Sequence, residues 1–297
     1  MKHIARIFSK PAPSLTHLEL VAHLIQTGTT LFSDLFGSEY PNLRVLEVTR
    51  IGAWPQIIGA NLTHITVSGY LGPRRLKDCI LYSPSLEALT IQGASNFTNQ
   101  NFSKSQRIPL PPGVCLTIQR SPACSHILSL FIVPHDGYIR VSPTIISVPD
   151  IPLLFHVLPI DTSTLQNLRA LTRLHMKARY IGGYVTLELK CFRLDRPAFE
   201  VNVKYSLQSQ PLAQQMVSPA MWFLGGINRL ALKGVEEWRM DGFVGHLWPQ
   251  MAELVAFLAK MPALTRVITT DSNEETLRFA IDSLGYPLEA VVVRVEE

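Results

Sequence analysis

Apolar and polar positions along the chain repeat a six-residue pattern in which positions one, four and six are apolar. Residues 15–20 read Leu-Thr-His-Leu-Glu-Leu, and residues 62–67 read Leu-Thr-His-Ile-Thr-Val. In an extended strand, positions four and six lie on one face, and positions three and five lie on the other. Each copy of the pattern therefore predicts a half-buried strand. The seven copies begin at Leu15, Leu43, Leu62, Leu86, Leu171, Ile227 and Leu264.

Segments beside two of these copies have the spacing of a helix. Leu76, Cys79 and Ile80 recur at i, i+3 and i+4 within residues 74–82, and a Ser-Pro pair follows them. The chain therefore alternates strand, helix and a turn marked by proline. A second helix is predicted over residues 251–260 by the similar spacing of Met251, Leu254, Val255 and Leu258.

The spacing of the copies favours a repeat architecture. The first four copies start 28, 19 and 24 residues apart, close to the period of about 20–29 residues in leucine-rich repeats. Such a unit cannot bury its apolar face alone and stacks on its neighbours. We interpret the chain as an α/β fold, an irregular leucine-rich-repeat solenoid in which helices lie outside a curved parallel sheet. The competing interpretation is an ordinary α/β domain in which leucine-rich strands recur by chance.

The middle of the chain departs from this pattern. Residues 92–108, rich in Ser, Asn, Gln and Thr, predict a surface loop, and residues 114–118 predict a strand. Two apolar runs flank Asp136-Gly137, a pair favoured in tight hairpins because both central residues need positive φ. Antiparallel strands are also expected over residues 184–190 and 199–205, with a turn at residues 195–197.

These features divide the chain into three regions of one continuous solenoid. Leucine-rich repeats are predicted over residues 1–93, an irregular region with hairpins over residues 94–210, and C-terminal repeats over residues 211–297.

Several of the copies resemble the repeats of a known family. Asn-Leu-Arg-Val-Leu-Glu-Val at residues 42–48 and Ser-Pro-Ser-Leu-Glu-Ala-Leu-Thr-Ile at residues 83–91 are similar to the repeats of fungal, basidiomycete-type F-box proteins. The resemblance implies the substrate-recognition repeats of a cullin-type ubiquitin ligase. In that family an F-box precedes the repeats and holds the ligase adaptor, and nothing before Leu15 resembles one. We therefore expect adaptor binding only if an upstream F-box exists.

Composition narrows the classes of partner and the location. The chain is 47% hydrophobic and 17% charged, which suits a large core. Its 27 basic and 23 acidic residues leave a net charge of +4 without a basic block, so neither nucleic acid nor a membrane is expected as partner. The four cysteines form no Cys-x-x-Cys pair, and the N-terminus does not resemble a signal peptide. We expect free thiols and a cytoplasmic or nuclear location.

The sequence contains no recognisable catalytic motif. Its nine histidines lack metal-ligand spacing, and there is no phosphate loop, nucleophile elbow or glycine-rich dinucleotide fingerprint. We therefore expect a non-catalytic protein-protein interaction scaffold without cofactor or metal. The alternative is an enzyme of unknown reaction whose site is assembled from residues remote in sequence.

Positions three and five of each copy are the predicted contact positions, because a solenoid exposes them on its concave face. The early copies carry acids there and the late copies carry arginines, whose planar guanidinium pairs well with carboxylates. We therefore expect an acidic protein segment at the late copies. The predicted partner-binding residues are His17, Glu19, Glu47, His64, Thr66, Arg173, His175, Arg229 and Arg266.

Overall fold

The computed structural model describes most of the chain in two compact units, Met1–Gly137 and Tyr138–Glu297. The boundary after Gly137 falls inside the region that the sequence predicts as irregular. The residues that the structure describes are 12–21, 40–50, 61–69, 73–94, 106–121, 123–143, 157–181, 183–206, 229–242, 251–269, 274–286 and 291–294. Most of the loop predicted over residues 92–108 lies outside them.

The N-terminal unit contains a parallel sheet in the order β1-β2-β3-β4-β6 and a short parallel pair, β5-β7. Helix α1 connects β3 to β4, as its apolar spacing predicts, and buries Leu76, Cys79 and Ile80. The strands are β1 His17–Val21, β2 Val45–Thr49, β3 His64–Ser68, β4 Ala88–Gln92, β5 Ile108–Pro109, β6 Cys115–Gln119 and β7 Phe131–Ile132. The helices are α1 Pro73–Leu81 and α2 Cys124–Ser129.

Strands β1 to β4 pair in the register that the six-residue pattern predicts, and β6, a predicted strand outside the seven copies, continues the same register. Position-four residues lie side by side, and so do position-six residues two places along. All ten are buried except Leu20, which is half-buried on the first strand of the order. Identical faces thus stack into one apolar ladder. Its two rows are Leu18, Leu46, Ile65, Leu89 and Leu116, and Leu20, Val48, Val67, Ile91 and Ile118.

A left-handed residue at position eight ends several of the copies, a feature that the apolar pattern did not predict. Counting from Leu43, Leu62 and Leu86, position eight is Arg50, Gly69 and Gly93, with φ of 56°, 85° and 58°. The amide of Gly69 donates to the Gln92 carbonyl at 2.8 Å, and the amide of Gly93 donates to the Gln119 carbonyl at 2.9 Å. The same turn therefore extends the hydrogen-bond ladder by one rung from copy to copy.

The C-terminal unit contains a sheet in the order β8-β11-β10-β9-β12-β13-β14. Strands β9, β10 and β11 are antiparallel neighbours, while β8, β12, β13 and β14 join by parallel pairing. The strands are β8 Tyr138–Ser142, β9 Arg173–Ile181, β10 Tyr184–Arg193, β11 Arg196–Ser206, β12 Glu237–Asp241, β13 Arg266–Thr269 and β14 Val291–Arg294. Its helices are α3 Met251–Leu258 and α4 Glu274–Ser283, with short 3-10 turns at Gln166–Leu168 and Leu232–Gly234.

The copy predicted at Ile227 is described only from residue 229 onward, and residues 229–232 do not form a strand. Leu230 and Leu232 are buried, but Leu232 begins the 3-10 turn Leu232–Gly234. The strand of this region is β12, where Trp238 and Met240 pair with Leu174 and Met176 of β9. Trp238 and Met240 therefore occupy positions four and six, in a frame that begins at Val235. The strand was missed because Val and Trp replace leucine, while a better leucine match lies just before it.

The hairpin predicted at Asp136-Gly137 is also wrong. Strand β7 pairs with β5, and β8 pairs with β11. The Gly137 amide donates to the Pro134 carbonyl at 3.1 Å, and neither Asp136 nor Gly137 has a positive φ. Pro134 has no amide hydrogen to donate to a ladder, so β7 stops before it. The hairpin predicted around residues 195–197 is confirmed as β10 and β11, whose registered pairs end at Arg193 and Arg196.

Helix α3 packs on the apolar face of the C-terminal sheet at Trp238. The Trp238 ring meets Phe257 of α3 edge-on, with 5.6 Å between the ring centroids. The helix predicted over residues 251–260 is confirmed as α3, which ends two residues earlier, at Leu258. It buries Leu254, Phe257 and Leu258, while Met251 and Val255 are half-buried. Both units therefore combine a mostly parallel sheet with a few helices, which is an α/β fold. The antiparallel strands β9, β10 and β11 belong to the C-terminal unit.

Candidate functional site

The polar face of the N-terminal sheet brings together the early residues predicted for partner binding. Register places His17, Val45, His64, Ala88 and Cys115 in one row, and Glu19, Glu47, Thr66, Thr90 and Thr117 in the next. We call these two rows the N-terminal face. They lie opposite the apolar ladder on the same strands.

Contacts within the N-terminal face are few and exposed. His17 Nε2 lies 3.3 Å from Glu47 Oε1, and about half of the His17 side chain is open to solvent. His64 Nδ1 lies 2.9 Å from the hydroxyl of Thr63. Surface pairs of this kind contribute little to stability, so these side chains are available for an external partner.

In the C-terminal sheet, three charged residues form one row across β9, β12 and β13. Arg173 pairs in register with Glu237, and Glu237 pairs with Arg266. Arg266 Nη1 lies 3.2 Å from Glu237 Oε2, and Arg173 Nη2 lies 2.9 Å from Asp195 Oδ1. The Arg173 guanidinium also lies over the ring of Phe192, 5.2 Å from its centroid. Both predicted arginines are thus held in place while remaining partly exposed.

The next two rows contain a cluster that sequence reasoning found only in part: His175 pairs with Arg239 in one row, and Asp241 lies in the row after it. His175 Nε2 and Arg239 Nε both lie 2.8 Å from the same carboxylate oxygen of Asp241. The Asp241 side chain is 6% exposed, that of His175 is 28% and that of Arg239 is 39%. Asp241 therefore fixes a cation and an imidazole that both reach solvent. His175 was predicted as a contact residue, but the other two lie on β12, whose frame was misassigned.

A third cluster lies on β8 and β11, at the opposite end of the strand order of the C-terminal unit. The Tyr138 hydroxyl donates to Glu200 Oε2, and Arg140 Nε lies 3.4 Å from the same oxygen. Burial, followed by the hydrogen bond to Glu200, raises the pKa of Tyr138 to about 12. The phenol therefore stays protonated and donates throughout the physiological range.

Arg229 does not lie on a strand face, so its predicted strand position is corrected. It precedes the 3-10 turn Leu232–Gly234, and its Nη1 donates to the Leu158 carbonyl at 2.6 Å. Because the half-buried Arg229 guanidinium satisfies a backbone acceptor, its role is structural.

We call the polar residues of β9, β12 and β13 described above the C-terminal face. They are Arg173, His175, Glu237, Arg239, Asp241 and Arg266.

Groups able to hold a metal are not found among the described residues, which contain no cluster of three His, Cys, Asp or Glu side chains suited to one. The structure shows no disulfide bond at Cys79, Cys115, Cys124 or Cys191. Burial raises the pKa of Cys124 to about 12 and raises the pKa of Cys191 as well, so neither is a thiolate near neutral pH.

None of the helices in the described part of the chain has the length and apolar character that a membrane span requires.

Comparisons with protein-family models, with curated proteins and with solved structures found no match to this chain.

Proposed function

We propose that this chain is a non-catalytic protein-protein interaction scaffold, an irregular leucine-rich-repeat solenoid in which the polar sheet faces bind the partner. The proposal includes a cytoplasmic or nuclear location and a role like that of the substrate-recognition repeats of a fungal F-box receptor. In that role, a ligase adaptor is a partner only if an upstream F-box exists. The register of the sheets and the recurring position-eight turn support the repeat interpretation.

One observation carries the proposal, namely the contrast between the two faces of the same strands. In β1, β2, β3, β4 and β6, position four is always Leu or Ile, while position three changes from His17 to Val45, His64, Ala88 and Cys115. A repeat scaffold keeps its stacking positions constant and varies its exposed ones, because only the exposed ones meet the partner.

The C-terminal face favours an acidic segment of a protein partner. Arg173 and Arg266 are 36% and 54% exposed, and each is already oriented by a carboxylate. An arginine held in place loses less side-chain entropy when it binds, and its remaining N–H groups can donate to a second carboxylate. Arg239 adds a third oriented guanidinium one row away.

The test is the double charge reversal Arg173→Glu with Arg266→Glu. We expect the folded double variant to lose the protein that the wild-type chain captures, with at least about a tenfold loss of affinity, because two oriented cations become anions. Arg229 is excluded because its guanidinium bonds to the backbone. Capture unchanged in both amount and salt dependence would contradict an acidic partner at this face.

Two control variants make the result specific. Lys233→Glu reverses an exposed charge on the 3-10 turn outside the face and is expected to leave capture intact. Arg278→Glu reverses a charge that is 56% exposed on α4, outside both polar faces, and it is likewise expected to leave capture unchanged.

A second candidate function, an enzyme, is favoured by one observation. His175 and Asp241 lie 66 residues apart in sequence, yet their side chains are 2.8 Å apart. A nearly buried carboxylate that orients a solvent-reaching imidazole is the arrangement used in general acid-base catalysis. A reaction that the wild-type chain catalyses, that His175→Asn abolishes and that the double arginine variant retains would favour this candidate over the scaffold.

A further inference from the structure

The end of the β9-β10 hairpin exposes apolar side chains on both faces of the sheet. Tyr180 and Ile181 are 61% and 66% exposed, and Tyr184, which pairs with Ile181, is 45% exposed. Consecutive strand residues point to opposite faces, so Tyr180 lies on one face while Ile181 and Tyr184 lie on the other. The apolar surface therefore continues around the end of the hairpin. We call these three residues the hairpin tip.

Basic residues form the row directly behind the hairpin tip. Arg179 and Lys204 flank Thr186 across three strands, and both are exposed. The Lys204 ammonium lies 4.6 Å from the centroid of the Tyr184 ring. Lys177 lies one row farther back, beside Glu188, which is the only acidic residue in these rows of β9, β10 and β11. On β12, Asp241 pairs with Lys177 in the same row, but His175 and Arg239 already hold its carboxylate. The row next to the tip therefore contains two cations, Arg179 and Lys204, and no acid on β9, β10 or β11.

We propose that the hairpin tip and its basic row dock on an anionic membrane surface. A flat protein surface covers one face of a strand pair, whereas the headgroup layer of a bilayer surrounds an inserted end and solvates both faces. Tyrosine is favoured at that depth because its ring is apolar and its hydroxyl is polar. Arg179, Lys204 and Lys177 then lie at the level of the lipid phosphates, where each cation adds attraction.

This inference stands apart from the proposed scaffold function, since it uses neither polar face defined above. The expectation of no membrane partner rested on the small net charge and on the absence of a block of basic residues in the sequence. Both are properties of the whole chain, and neither measures a local apolar end beside a basic row. Insertion of two tyrosines and one isoleucine with a few cations gives weak, reversible binding that depends on lipid charge.

The experiment is sedimentation of the full chain with sucrose-loaded vesicles of phosphatidylcholine, with and without phosphatidylserine. We expect binding to the anionic vesicles that weakens as salt rises, and at least about tenfold weaker binding for Ile181→Ser with Tyr184→Ser. Arg179→Glu with Lys204→Glu is expected to abolish the preference for phosphatidylserine. Both pairs are exposed, so circular dichroism should show an unchanged fold.

The control is Phe279→Ser, which removes an aromatic ring that is 65% exposed on α4, away from the hairpin. It is expected to bind anionic vesicles as the wild type does. The proposal is overturned if the wild-type chain stays in the supernatant with phosphatidylserine vesicles, or if the tip variants sediment like the control. A third result would also overturn it. If neither the wild type nor the variants bind vesicles, and the tip variants fail to capture a protein that the wild type captures, the tip is a protein contact.

Discussion

At the scale of single residues, the apolar ladder depends on side chains such as Leu46, which is fully buried between Leu18 and Ile65. We expect Leu46→Asp to destabilise the protein by at least about 3 kcal/mol, because a carboxylate would be buried without a partner. Urea denaturation followed by circular dichroism measures the change.

Thr66→Asp is the matched control for this prediction. Thr66 lies on the neighbouring strand but on the polar face, and it is half-buried. A change below about 1 kcal/mol is expected there. If Leu46→Asp folds as stably as the control, the assignment of the two faces is incorrect.

At the scale of an element, the position-eight turn after β12 is the most constrained. Gly242 has φ of 74°, and a Cβ on it would lie 2.1 Å from the Ala178 carbonyl oxygen of the neighbouring strand. We expect Gly242→Ala to cost about 3 kcal/mol or more, because left-handed strain adds to a clash with backbone. Thermal denaturation of the variant measures this cost.

Gly285→Ala separates strain from clash. Gly285 has a similar φ of 63°, but nothing lies within 4 Å of the added Cβ. It should therefore cost only about 1–2 kcal/mol. Equal losses for the two variants would mean that the close approach of Gly242 to β9 is not maintained.

The elements that the sequence predicted correctly are those with strong local periodicity. Helix α1 follows from the spacing of Leu76, Cys79 and Ile80, and the first strands follow from repeated leucines. Strand β12 was missed because Trp238 fills position four as well as leucine does, since burial selects for apolar volume and not for one residue type. The predicted β7-β8 hairpin does not form, because Pro134 has no amide hydrogen for a strand ladder and ends β7 before the Asp-Gly pair.

The candidate sites were only partly predictable for a related reason. His175 was identified as exposed from its strand position, but its partner Asp241 lies 66 residues away. Pairing between β9 and β12 brings the two together, and no local pattern encodes that pairing. The same holds for Tyr138 and Glu200, which are 62 residues apart.

At the scale of the whole molecule, the account claims that varied polar faces on constant apolar strands bind a protein partner. The most direct measurement is site-specific photocrosslinking in lysate of the cells that encode the chain. A benzoylphenylalanine side chain is placed singly at Thr66, on the N-terminal face, and at Arg266, on the C-terminal face. Leu81 of α1 and Phe279 of α4, which are 55% and 65% exposed, serve as control positions.

We expect a defined protein to be crosslinked from at least one of the two face positions, with little or no product from the helix positions, because the partner contacts the strands. Crosslinks from Leu81 or Phe279 alone, or none from either face, would contradict the claim that the sheet faces are the binding surface.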